Sequence, residues 1–420
     1  MTKKMKVVWV CHFSNSELRK HIRQSSFYLL NHIRKRMGRP QPGNGDFGIW
    51  NANAIREMEK YDDIELHVIL PYRALNPQHQ EFSIRGVHYY CYRPDDDHII
   101  PFIKDKVFKH PEKEYAANRK YIMSVIDMVR PDLVHIIGAE NPYYSIAALD
   151  IPKHIPSIVS LQTLMSPPEF LRKSPQYANN YSIRVEIEQK VIRACTYIGT
   201  TLPSFIEFIT TYIKPDAKYL PLVLAVGEEI DTSEHSKTYD FVYFAANIKK
   251  ACDVAIEAFG MVCQKYPKAT LNVSGGYDAV TKRKLDLRLE ELGIKENVTF
   301  SGSKSSHQAV LSQIKKSRFA LLPLKVDIIS GTIREAMACG LPVVTTITEG
   351  TPGLNTNRES ILLSAIGDIR GMADNMIRLM EDSDYAAILR KNAFATVKER
   401  YSNEAIVATW HKEYQKLVSL

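Results

Sequence analysis

Long apolar runs are missing from this sequence. None of its 420 residues lies in an 18-residue apolar stretch, so no segment is expected to span a bilayer. The N-terminal "MTKKMKVVWVCHF" has a basic start, but its apolar run, Val7 to Val10, is too short for the core of a signal peptide. Cysteine pairs are missing too. The six cysteines include no C-x-x-C spacing, which disfavours a zinc site and reads as reduced, buried thiols in a reducing compartment. Cytoplasm is the expected location. No repeat of fixed period and no low-complexity tract is visible. Neither sign of charge dominates, with 55 Lys+Arg against 47 Asp+Glu. An excess of +8 fits phosphorylated substrates, headgroups or nucleic acid and does not choose among them. The loop after the first strand lacks G-x-G-x-x-G, which disfavours a nicotinamide dehydrogenase.

What is present is an alternation of short β-branched runs with helical patterns. The chain is too long for one ordinary core, and 45% hydrophobic with 24% charged residues is a globular composition. Strands are expected at "KVVWVCHF", "IELHVIL", "VHYYCY", "DLVHIIG", "SIVSLQ", "TYIGT" and "AKYLPLV". Continuous apolar strands imply a parallel sheet covered on both faces. The polar "GEEIDTSEHSKTYD" reads as a linker. Beyond it come "FVYFA", "TLNVSG", "NVTFSG", "RFALLPL" and "PVVTT", again separated by helices. The expected architecture is α/β, with two doubly wound Rossmann-like domains facing each other. The boundaries are 1–226, a linker over 227–240, a second domain over 241–400, and a terminal helix over 401–420. In that helix Ile406, Trp410, Tyr414 and Leu417 share one face and Ser402 is the N-cap.

The stretch "DIISGTIREAMACGLPVVTT" carries the chemistry. Gly340 and Pro342 are helix-end punctuation. A helix opening on Ser330, Gly331 and Thr332 is more informative, because glycine lets a ligand approach backbone N–H groups that favour an anion. Lys249 and Lys250 follow a strand at the carboxyl edge of the same sheet, where α/β proteins bind ligands. Cations from one loop and N–H groups from the other make a diphosphate site without a metal. Glu335 suits vicinal hydroxyls of a ribose, and Asp327 suits a sugar on that diphosphate. Solvated lysines, a helix-dipole glutamate and a capping aspartate are the alternatives.

"LPLKVDIISGTIREAMACGLPVVTT" resembles the signature of retaining glycosyltransferases of the family 4 type, which have the GT-B fold. Glu335-Ala336-Met337-Ala338-Cys339-Gly340 and Pro342-Val343-Val344 match as they stand, and the family's E-x7-E is D-x7-E from Asp327 to Glu335. "KKACDVAIEAF" resembles the family's lysine helix, with Lys250 in the lysine position, Ala251 for glycine, and Asn247 nearest to a missing arginine. "VTFSG" resembles the strand before the base contact, which implies a base contact at Ser303. "PGNGDFGIWNANAI" resembles the glycine loop facing the donor phosphates, with Gly45 and Gly48 matching and Asn51 on the acceptor side. "SIVSLQT" resembles the strand that ends in a histidine near the donor sugar, and Gln162 stands there.

The resemblance implies transfer of a sugar from a nucleoside diphosphate with retention, to a saccharide or lipid-linked acceptor, in bacterial surface polysaccharide synthesis. Lys250 and the backbone from Ser330 through Ile333 would stabilise the departing diphosphate. It implies no cofactor, no metal and no enzymic base. It also implies a final helix crossing back onto the first domain. Other readings are a degenerate GT-B protein that binds nucleotide sugar without transfer, or a GT-B epimerase or phosphorylase. Residues 17–39 hold Arg19, Lys20, Arg23, Arg34, Lys35, Arg36 and Arg39 around "FYLL". That pattern suits peripheral contact with an anionic inner membrane, or equally a solvated basic face. Nucleic acid is not an expected partner.

Overall fold

The structure is a computed structural model that describes residues 4–23, 46–94, 115–173, 181–224, 236–247, 251–304, 306–324 and 331–419. The chain divides into two compact units, Met1–Ala225 with Ile406–Leu420, and Val226–Ala405. Each is a doubly wound sheet with helices, an α/β architecture.

The first unit holds an 8-stranded sheet in the order β3-β4-β2-β1-β5-β6-β7-β8. Its strands are β1 Met5–Val10, β2 Ile64–Pro71, β3 His79–Ile84, β4 Val87–Tyr92, β5 Leu133–Ile137, β6 Ser157–Ser160, β7 Tyr197–Gly199 and β8 Lys218–Leu220. In β1 the period of two sends Val7 and Trp9 to one core and Val8 and Val10 to the other, so all four are fully buried. The helices Ala116–Val129 and Tyr181–Ala194 cover the second of these faces. The helix Ile49–Met58 covers the first.

Apolar spacing in the last helix, Asn403–Val418, finds its use on that first face. Trp410 packs edge-on to Trp9 with centroids 5.3 Å apart, and its indole N–H donates to the Val223 carbonyl at 3.0 Å. Tyr414 is buried with its hydroxyl on His135. Ser402 Oγ accepts from the Ala405 N–H at 3.1 Å, as an N-cap does.

The strand β3 was absent from the sequence expectation. It pairs antiparallel with β4 through a turn whose Arg85 and Gly86 both have positive φ, 45° and 84°. Two such residues make the turn that suits a two-residue hairpin. Arg85 pays for its strained backbone by reaching both Glu17 and Glu59.

The second unit holds a 6-stranded sheet in the order β11-β10-β9-β12-β13-β14, parallel throughout. The strands are β9 Tyr239–Asn247, β10 Leu271–Gly276, β11 Val298–Gly302, β12 Ser317–Leu322, β13 Val343–Thr346 and β14 Leu362–Ser364. Tyr239 and Asp240, at the end of the expected linker, already belong to β9. The helix Cys252–Lys265 buries Ala255, Ala258, Phe259, Val262 and Cys263, as its spacing predicts, while Val254 is half-buried. In both sheets the strand order reverses beside the first strand, at β1/β5 and β9/β12. Doubly wound folds bind ligands at the carboxyl ends of those strands.

Candidate functional site

At the β1/β5 edge, β1 runs into Cys11, His12 and Phe13. Gly48 precedes the helix Ile49–Met58 with φ 59°. A Cβ there would stand 2.5 Å from the His12 carbonyl oxygen, so close approach as well as φ requires glycine. Asn51, one turn on, donates from Nδ2 to that same carbonyl at 3.1 Å. It is fully buried, and its Oδ1 has no hydrogen-bond partner among the described residues. The His12 ring lies 4.4 Å from that of Phe47, and its Nδ1 meets the Tyr143 hydroxyl at 2.7 Å. Burial, assisted by the charge of Arg73, pushes the His12 imidazole down to about 4, so it is neutral at neutral pH.

The β5 side supplies Glu140. It is buried, one oxygen accepts from Asn141 Nδ2 at 3.0 Å, and Oε2 has no partner among the described residues. Burial pushes its carboxyl up to about 7, with repulsion from Glu188 adding to this and Arg184 opposing it. Glu188 is also raised to about 7 by burial, against its hydrogen bonds. It accepts from the backbone N–H of Met165 at 2.9 Å and of Ser166 at 2.8 Å. Donors favour the anion. Glu188 has such donors, and Glu140 Oε2 has none among the described residues. Gln162 is half-buried and donates to the Ile137 carbonyl at 3.4 Å, sharing that acceptor with the Tyr144 hydroxyl. Gly48, Asn51 and Gln162 thus lie along one sheet edge, while Gly45 lies outside the described residues.

At the β9/β12 edge the helix Gly331–Ala338 follows β12. Ile333, Ala336 and Met337 are its buried side, all fully buried. Gly331 is exposed, with nothing within 4 Å of where a Cβ would stand. Thr332 is half-buried. Glu335 falls four residues after Gly331 and so on the same side. The helix ends as the sequence predicts. Gly340 has φ 69°, its N–H donates to the Met337 carbonyl at 3.0 Å, and the Leu341 N–H donates to the Ala336 carbonyl at 3.0 Å.

Glu335 has a neighbour that the sequence did not announce. His307 Nε2 stands 3.5 Å from its Oε1. His307 opens the helix His307–Ile314 after β11, and exposed Ser303 lies on the loop between. Asn247 is the last residue of β9, opposite Gly276. Asp327, Lys249, Lys250 and Ser330 lie outside the described residues. His12, Glu140 and His307 escaped sequence reasoning because each is a lone polar residue. Their only signal is a place at or just beyond the end of a parallel strand.

Against this geometry stand the likenesses to known proteins. The sequence model of the family "Glycosyl transferases group 1" matches residues 227–396, nearly the whole second unit. N-acetyl-alpha-D-glucosaminyl L-malate synthase of Bacillus anthracis is 26% identical over 325 residues, 76% of this chain and 83% of that protein. The structure of sucrose-phosphate synthase from Thermosynechococcus elongatus superposes with a TM-score of 0.67 at 14% identity, covering 99% of this chain and 100% of that one. Anabaena HepE in complex with UDP and glucose gives 0.60 at 15% identity, covering 99% and 100%. The chain therefore has the GT-B type of fold, and residues 227–396 match the group 1 glycosyltransferase domain.

Proposed function

We propose that the protein is a retaining transferase that moves a hexosyl unit, most simply N-acetylglucosamine, from a uridine diphosphate to a saccharide or lipid-linked acceptor in surface polysaccharide synthesis. The observation that carries this reading is the helix Gly331–Ala338, with Gly331 open and Glu335 beside it on the unburied side, next to His307. A diphosphate at Gly331 gains N–H donors and the helix dipole, and a carboxylate one turn on accepts from ribose hydroxyls. Lys249 and Lys250 complete the neutralisation, so the leaving group needs no metal. Asp327, with seven residues between it and Glu335 in the D-x7-E spacing, orients the sugar. The B. anthracis relative's name supports the N-acetylglucosamine donor, and the UDP in the HepE structure supports the base.

In the first unit, Asn51 Oδ1 and Glu140 Oε2 are buried without partners among the described residues, which suits an acceptor rich in hydroxyl groups. Peripheral membrane contact through residues 17–39 belongs to the same reading. Residues 24–45 lie outside the described residues, and Arg19 is engaged with Asp46 at 2.7 Å.

Calorimetric titration with UDP, GDP and ADP, followed by Glu335→Gln, tests the donor site. One charge-assisted hydrogen bond is worth roughly 1.5–3 kcal/mol. UDP should bind Glu335→Gln about ten- to a hundredfold more weakly, with the fold intact. Asp327→Asn should bind UDP nearly as wild type and transfer far more slowly. Equal UDP affinity in wild type and Glu335→Gln would overturn the ribose role. The anomeric configuration of the product, read by NMR, tests retention.

A further inference from the structure

We propose that Glu65, His67 and His88 form a binding site for a first-row divalent cation of the zinc type, clamping β2 to β4 in the first unit. The arrangement follows from strand geometry. Glu65 and His67 are two residues apart on β2 and share a face. His88 is the direct register partner of His67 on parallel β4. The two imidazoles stack with centroids 4.8 Å apart and planes 21° from parallel. One ligand atom from each of the three residues lies within 4.8 Å of the others.

The outer contacts are those a metal site needs. His67 Nδ1 meets the Tyr90 hydroxyl at 3.2 Å, and His88 Nδ1 meets Ser83 Oγ at 3.0 Å. A hydroxyl on one ring nitrogen fixes the ring and leaves the other nitrogen for a metal. His67 Nε2 is the nitrogen turned to Glu65, 2.9 Å from Oε1. Lys6, the register partner of Glu65 on β1, opposes the cation, and Glu65 offsets it. With zinc–nitrogen bonds of about 2.0–2.1 Å, tetrahedral donors stand roughly 3.4 Å apart. Binding draws the present donors, within 4.8 Å of one another, to that distance by turning the imidazoles out of their stack. Two imidazoles and one carboxylate select zinc-like ions over magnesium or calcium, which prefer oxygen. Three protein ligands leave a position for water. The site rests on the sheet and is independent of the metal-free donor chemistry proposed above.

The full chain, stripped with chelator and dialysed, is titrated calorimetrically with ZnCl2. One saturable site per chain is expected, and Co2+ in its place should give the visible absorption of a four-coordinate ion. His67→Ala and His88→Ala should each weaken Zn2+ at least about 100-fold, and Tyr90→Phe about tenfold. His154→Ala, at an exposed residue, should change nothing. Zn2+ should raise the thermal midpoint of wild type and not of His88→Ala. If His67→Ala does not fold, His88→Gln carries the test. Absence of saturable Zn2+ binding, unchanged affinity in the His88 variant, or displacement by millimolar Mg2+ overturns the proposal.

Discussion

The two sheets reverse strand order in the same way, and the two edges so formed are built differently. At the β1/β5 edge side chains do the work. Asn51 is fully buried, Glu140 nearly so, and both leave an oxygen without a partner among the described residues. At the β9/β12 edge the backbone does it, with Gly331 and Ser303 exposed and Glu335 as the acidic side chain beside them. The contrast matches two kinds of ligand. A diphosphate is the same in every donor and is read well enough by N–H groups. An acceptor is distinguished by its hydroxyls, and a buried orphan oxygen rejects a molecule that cannot meet it.

Trp410→Ala should break the comparison most. It removes a fully buried indole and the Val223 contact, and such truncations cost about 3–5 kcal/mol. Hydrogen exchange should show β1 and β5 deprotected while β9 to β13 keep their protection. Gly48→Ala should come next. Its Cβ meets the His12 carbonyl at 2.5 Å in a left-handed backbone, and the second term alone costs about 1–2 kcal/mol. UDP affinity and acceptor saturation should both suffer in this variant, since Gly48 lies in the loop expected to face the donor phosphates and Asn51 follows it on the acceptor side. Unchanged UDP affinity would remove Gly48 from the donor side.

Glu140→Gln sharpens the comparison through pH. A carboxyl raised from 4.5 to about 7 contributes full stability below its unfolded value and loses it as pH rises through about 7. Gln cannot ionise. The variant's thermal midpoint relative to wild type should therefore climb between about pH 5 and about pH 8, by roughly 2–4 °C for each kcal/mol of ionisation penalty removed. A flat difference would mean that Glu140 does not ionise over this range. His307→Ala should give the smallest effect, weakening UDP about two- to fivefold, since it removes only a polar neighbour 3.5 Å from Glu335. Its effect should vanish in a Glu335→Gln background.

Most of the architecture was legible because central parallel strands are apolar on both faces. Val7 to Val10 could hardly be anything else. β3 was not legible, since "HQEFSI" alternates exposed and half-buried residues at an edge and its turn is Arg-Gly, without the usual Asn-Gly signal. β14, three residues long, offers too short a pattern. At the candidate site, Gly48 and Glu335 stood out through local punctuation. Glu140 and His307 did not, because burial and a partner from another element define them. The Glu65, His67 and His88 cluster is further still from the sequence, since only strand register places His88 opposite His67.

The last helix also sets an order of events during synthesis. His135 and Tyr414 touch across 279 residues of chain. At about 5–20 residues per second, Tyr414 follows His135 out of the ribosome by roughly 15–60 s. Throughout that interval Trp9 and the face around it have no cover from Trp410, while the second unit is translated in full. A nascent first unit therefore keeps that apolar face uncovered until the last helix arrives. A chain stopped after the second unit would expose the same apolar face permanently and be marked for proteolysis.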